Sequence, residues 1–153
     1  MERKGMTMSE KNYFMDGPIT PDFIAGQIAG HAAKKNIGAH AIFLGQVRAD
    51  EARGAKVEAI EYSAYAGMAN GEISRLREEA FTKFPLNCLH VYHSTGRVAA
   101  GEISLFVFVS AAHRKESMRA MEWIVEEIKH NVPVWKKECL SDGQTRWIDG
   151  QPE

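Results

Sequence analysis

The chain has 153 residues, 44% hydrophobic and 25% charged, the size and composition of one ordinary domain with room for a sizeable core. Its formal net charge is −1, so no global attraction to nucleic acid or a membrane surface is expected, and any anion site must come from local clustering. Two cysteines, Cys88 and Cys139, form no CxxC pair. They are expected to be reduced, in a cytoplasmic compartment, and to serve as buried apolar residues rather than as a nucleophile or a disulfide. Residues 1–11 are polar and charged, lack the apolar core of a signal peptide, and read as a disordered tail. Residues 150–153 read as a loose end, which leaves a single domain over 12–149. The longest apolar run, around residues 103–109, is too short to cross a bilayer.

In chain order, residues 12–16 suggest a short edge strand ended by Gly17-Pro18. Thr20-Pro21 is a helix N-cap followed by proline at the first helical position, and Phe23, Ile24 and Ile28 give that short helix an apolar side. Residues 38–48 alternate as a strand, with Ile42 and Leu44 on one face and Ala41, Phe43, Gly45 and Val47 on the other. A charged loop over 49–55 leads to a second strand over 56–65, and the short polar link favours an antiparallel pair of the two. Ala69, Ile73, Leu76, Ala80 and Phe84 recur at helical spacing, so residues 67–84 form an amphipathic helix stopped by Pro85. A third strand covers 86–93, and Gly96 and Gly101 mark 94–101 as a turn region. Residues 102–110 are apolar at nearly every position, as in a central strand covered on both faces. A helix over 113–131, a strand over 132–139, a turn at Ser141-Asp142-Gly143 and a strand over 145–148 complete the order. This predicts an α+β domain with a mainly antiparallel sheet and about three helices.

Most basic groups suited to chemistry lie in one stretch, 110–138. On a helical wheel Met118, Met121, Ile124, Val125 and Ile128 share an arc expected to meet the core; Arg114 falls inside that arc and Lys129 at its edge. The ordinary explanation is snorkelling, with stems on apolar surface and heads in water. The functional one is constrained by length. Arg114 and Lys129 stand about 22 Å apart along the axis at 1.5 Å per residue, so one small ligand cannot touch both. Either one end is functional, or a second copy of the chain brings its His113-Arg114 end to this copy's Lys129 end. Lys129 and Lys136 straddle Pro133, which breaks the helix and turns the chain. They can converge on one cleft and support nucleophilic or acid/base chemistry, or simply be solvated surface lysines. Arg48 follows Gly45 at a strand end, where it can hold a phosphate bidentately or point to water.

Other patterns are set aside. His90 and His93 face opposite sides of a strand, and no Cys/His spacing completes a zinc site. There is no GxGxxG, P-loop or GxSxG. Trp123, Trp135 and Trp147 read as core or interface anchors.

The succession GAHAIFLGQVR (38–48), IEYSAYAGMA (60–69), VYHSTGRVAAGE (91–102), SAAHR (110–114) and IKHNVPVWKKE (128–138) resembles the large, catalytic subunit of molybdopterin synthase. The resemblance spans roughly residues 38–147, in order. It implies an α/β hammerhead-type fold and a homodimer that binds a small ubiquitin-like sulfur carrier at each end, as a heterotetramer. It implies a sulfurtransferase: the carrier's thiocarboxylated Gly-Gly tail enters the active site, and two sulfurs pass in turn to cyclic pyranopterin monophosphate to form the molybdopterin dithiolene. No metal and no cofactor belong to the subunit itself, and neither nucleic acid nor membrane is a partner. By position, Lys129 matches the lysine that meets the carrier's tail and Lys136 the second active-site lysine. Arg48, His113 and Arg114 match basic residues around the pterin phosphate, the HR pair coming from the other subunit. The chain departs from the family pattern at Gln46, Ser63 and Ser94, where many members have lysine, glutamate and arginine, and Arg146 is the candidate for a further basic residue. Two other readings remain: a non-catalytic scaffold that binds a ubiquitin-like tail, and a phosphoester hydrolase with a basic pocket.

Overall fold

A computed structural model describes residues 11–148, so the expected N-terminal tail, save for Lys11, and the loose C-terminal end lie outside the described residues. In chain order the elements are β1 (Phe14–Asp16), α1 (Pro21–Gly30), β2 (Ala39–Gln46), β3 (Glu51–Ala52), β4 (Ala55–Ala64), α2 (Ala66–Lys83), β5 (Cys88–Ala99), β6 (Ile103–Ala111), α3 (Arg114–Asn131), β7 (Val134–Leu140) and β8 (Thr145–Ile148). The sheet runs β2-β6-β5-β4-β7-β8, with β1 beside β5 and β3 beside β4. Every pairing is antiparallel except that of β1 with β5. The α+β class and the three helices are as expected.

The core follows from β6. Its alternate residues Leu105, Val107 and Val109 join Leu89 and Val91 of β5 beneath α2 and α3, packing on Ile73, Leu76, Ile124, Val125 and Ile128. Its other residues, Phe106 and Phe108, turn the opposite way and meet Phe23 and Ile24 of α1. Each fully buried apolar side chain of this size contributes about 1.5–3 kcal/mol relative to exposure. That two-sided burial is why the run reads as continuously apolar. Thr20 caps α1 as expected, its Oγ1 accepting from the Phe23 amide at 3.2 Å.

Three expectations change. The first long strand, β2, does not pair with β4. It lies against β6, the most apolar surface on offer, while β4 closes a tight hairpin with β3 through Arg53 and Gly54, both at positive φ, and pairs with β5 and β7. The region 94–101 is not a turn throughout. β5 runs on to Ala99, pairing with β6 up to His93 and with β4 from Gly96. Gly96 allows the change of partner: its φ is +80°, and a Cβ there would lie 2.7 Å from Asp16 Oδ1. Finally, the core arc of α3 starts later than the wheel suggests. Met118 is 62% exposed and Met121 only half-buried, and the small Ser117 and Ala120 face inward at the start of the helix. Among the tryptophans only Trp123 packs against the core; Trp135 and Trp147 are exposed.

Candidate active site

Strand register assembles the first half of the site. Residues opposite one another across antiparallel strands point to the same face, about 4.5–5.5 Å apart. Tyr62, Lys136 and Ile148 form one such row across β4, β7 and β8; Ile60, Glu138 and Arg146 form the next row on that face. All six line a cavity of about 790 Å³. Lys137 falls on the other face, where its Nζ lies 3.4 Å from Glu61 Oε1 and 5.5 Å from the Trp147 ring centroid. Alternation therefore selects Lys136 over its neighbour.

Pro133 supplies the other half. α3 ends at Asn131, and the chain turns into β7 so that Lys129, in the last helical turn, lines the same cavity as Lys136. Arg48, just beyond β2, lines it too, with its Nη2 3.3 Å from Asp50 Oδ2 and its side chain 80% exposed. Five cations (Arg48, Arg53, Lys129, Lys136 and Arg146) thus face two carboxylates, Asp50 and Glu138. Glu138 is buried and accepts from Arg146 Nε at 3.0 Å and from its Nη2, which fixes the guanidinium against the cavity wall.

The floor holds two groups that were not among the expected site residues. Tyr62 is buried and donates to Ser104 Oγ at 3.0 Å; burial raises its phenol above its usual range. His93 is buried edge-on to Tyr62, ring centroids 5.4 Å apart. Its Nδ1–H donates to the Ser94 carbonyl at 2.8 Å, which leaves Nε2 as an acceptor. Burial pushes its pKa down to about 4; the Ser94 hydrogen bond opposes this, and the Lys136 and Lys129 ammoniums add to it. Glu138 was legible as the residue two beyond Lys136 in a strand. His93 had no such signal, because a histidine in an apolar strand is usually a packing residue.

His113 and Arg114 are elsewhere. They line a separate hollow with Gly38, Ala112, Lys115, Met118 and Arg119, at the opposite end of α3. Gly38 must be glycine here, since a Cβ would sit 2.1 Å from the Ala112 carbonyl oxygen. Within one chain the structure brings Arg48, Lys129 and Lys136 together and leaves His113 and Arg114 a helix away. Of the three departures, Gln46 alone lines the cavity. Ser63 is exposed, opposite Trp135, and Ser94 is buried beneath His93 with its Oγ unpaired.

The family model described as MoaE protein matches residues 18–131 of this chain. The chain belongs to the MoaE family. Among its relatives, the molybdopterin synthase catalytic subunit of Pyrococcus abyssi is 42% identical over 129 residues, covering 84% of this chain and 86% of that one. The subunit of the same name from Caulobacter vibrioides is 34% identical over 134 residues, covering 88% and 85%. The crystal structure of molybdopterin synthase from Staphylococcus aureus superposes with a TM-score of 0.77 at 31% identity, covering 90% of this chain and 96% of that one. A Helicobacter pylori structure, a complex of subunits 1 and 2 of molybdopterin-converting factor, shares the fold with a TM-score of 0.76 at 22% identity, covering 89% and 88%. As a MoaE-family catalytic subunit, the chain is a sulfurtransferase of molybdenum-cofactor biosynthesis. None of its described helices is long and apolar enough to cross a membrane.

Proposed function

We propose that this chain, acting as a single cytoplasmic catalytic domain over 12–149, transfers two sulfurs in turn from a thiocarboxylated small ubiquitin-like carrier to cyclic pyranopterin monophosphate. The observation that carries the residue-level reading is the convergence of Lys129 and Lys136, from either side of Pro133, with Arg48 and Arg146 in one cavity. The carrier's tail and the cyclic phosphate are both anions. A cavity in which five cations face two carboxylates supports holding both and stabilising the phosphate oxygen that the cyclic ester releases. Lys129, exposed at the rim, positions the thiocarboxylate. Lys136, deeper and beside Tyr62 and His93, moves the proton, and the neutral His93 offers its Nε2 as an acceptor. Arg48 binds the phosphate, and Gln46 holds the place of a cation with a neutral amide.

His113 and Arg114 of a second copy complete the phosphate site in a homodimer, each end of which takes one carrier. The phosphoester hydrolase reading is less well supported, because the two carboxylates of the cavity are each engaged by an arginine. The test is incubation with thiocarboxylated carrier and pyranopterin precursor, followed by detection of the dithiolene. Product that depends on the thiocarboxylate is expected. Turnover of the phosphate without carrier, or carrier binding without product, would replace the reading with one of its rivals.

A further inference from the structure

The opposite face of the sheet carries a second cluster, outside the cavity and independent of the reading above. His31 closes α1 as its C-cap residue. Cys88 and His90 stand two apart on β5, so they share a face, the one that Tyr92 turns toward α1. His31 Nε2 and His90 Nε2 are 3.2 Å apart, and Cys88 Sγ completes a trio of donor atoms all within 4.8 Å of one another. Two imidazole nitrogens on a tetrahedral zinc ion, at about 2.0–2.1 Å each, stand about 3.3 Å apart; nitrogen and thiolate sulfur stand about 3.6 Å apart. The nitrogen spacing is close to that of a first coordination sphere, and the sulfur lies within 4.8 Å of the donor nitrogens.

The surroundings support the same chemistry. His31 Nδ1–H donates to the Gln27 carbonyl at 2.8 Å, which fixes the tautomer that offers Nε2 as a lone pair, the usual outer-shell arrangement of a ligating histidine. The Phe108 ring underlies the trio, 4.7 Å from the His31 centroid and 6.3 Å from that of His90. The Lys34 ammonium already rests on Cys88 Sγ at 3.1 Å, so a cation is accommodated at the sulfur and a metal ion would take its place. His40 stands farther out, its ring centroid 6.1 Å from that of His31.

We propose that His31, Cys88 and His90 bind one divalent cation of the zinc class, with water in the fourth position, and that this ion ties the end of α1 to β5. Mixed His and Cys donors select a borderline metal over magnesium or calcium. Binding converts the Cys88 thiol to a thiolate and releases its proton to solvent, while His90, whose Nε2–H donates to His31 Nε2 in the metal-free chain, moves its ring proton to Nδ1 to free Nε2 for the metal.

The test is titration of the reduced full-length chain with Zn²⁺ against a chromophoric chelator, with Co²⁺ as a spectroscopic substitute. One ion per chain, a thiolate-to-cobalt charge-transfer band and a higher Tm with Zn²⁺ are expected. Cys88→Ala should remove the band and weaken Zn²⁺ binding by more than about a hundredfold, beyond the range of outer-shell changes. Lys34→Ala should tighten binding by removing the competing ammonium, and His130→Ala, on an exposed histidine, should change nothing. Should Cys88→Ala unfold, His90→Gln carries the same comparison, its folding checked by circular dichroism. Zn²⁺ binding equal in wild type and variant, or a cobalt spectrum without the thiolate band, overturns the proposal.

Discussion

The two ends of α3 carry similar charge in very different settings. At its C-terminal end, Lys129 joins a cavity walled by β2, β4, β5, β6, β7 and β8. At its N-terminal end, His113, Arg114, Lys115 and Arg119 line an open hollow whose other wall is only Gly38 and Ala112. The helix dipole sharpens the contrast. A cation in the last turn is favoured by about 0.3–1 kcal/mol, and a cation in the first turn is disfavoured by a similar amount. Lys129 therefore suits its helix whether or not it has a ligand. Arg114 and Lys115 do not; Glu116 offsets one of these charges within the same turn, and the net positive remainder favours an anion from outside the chain. A many-walled cavity at one end and a cationic hollow at the other is the arrangement expected if two copies each complete the other's site.

The comparison can be broken most strongly at Lys129. Lys129→Ala should lower dithiolene formation by about 10²–10³-fold in a single-turnover assay with saturating thiocarboxylated carrier; a normal rate removes the lysine from the mechanism. Next comes exchange of subunits. A His113→Ala/Arg114→Ala chain and a Lys129→Ala chain, each nearly inactive alone, should recover about a quarter of wild-type activity after mixing, because half of the dimers then carry one intact composite site. No recovery under demonstrated exchange would rule out the composite site and leave only one end of the helix functional. A smaller effect is expected at the wall of the cavity. Glu138→Ala frees Arg146 and leaves it without its buried acceptor, at about 1–3 kcal/mol by urea denaturation.

The stability of that floor should also depend on pH. Burial holds the pKa of His93 at about 4 in the folded chain against the ordinary histidine value of 6.5, so the unfolded chain binds the extra proton between those values. Its contribution is complete above about pH 6.5 and is lost as pH falls to about 4. His93→Gln should flatten the curve in that window, though only in part, since burial holds His90 at about 4 as well. The smallest effect is expected just beneath, at Ser94. Its buried Oγ has no partner, so Ser94→Ala should be neutral or stabilising by up to about 1 kcal/mol in thermal melts.

Much of this was legible in the residues alone. β6 was readable as a doubly covered strand, because burial on both faces leaves no polar alternation. Helix α2 was readable from its apolar spacing, and Pro133 marked the break that lets Lys129 and Lys136 meet. The length of α3 by itself separates Arg114 from Lys129, since the rise of a helix is fixed. Pairing was not legible. β2 chose β6 over β4, and β5 ran through the glycine at 96, because strand partners are set by which surfaces remain to be covered once the helices dock. The same holds for the two clusters built from distant residues. Nothing local joins His93 to the lysines, or His31 to Cys88 and His90, which lie 57 and 59 positions further on. The chain's own periodicities decided its elements and the span of its central helix. Which polar groups share a cavity or a cluster was decided only when the sheet assembled, because that depends on cross-strand register.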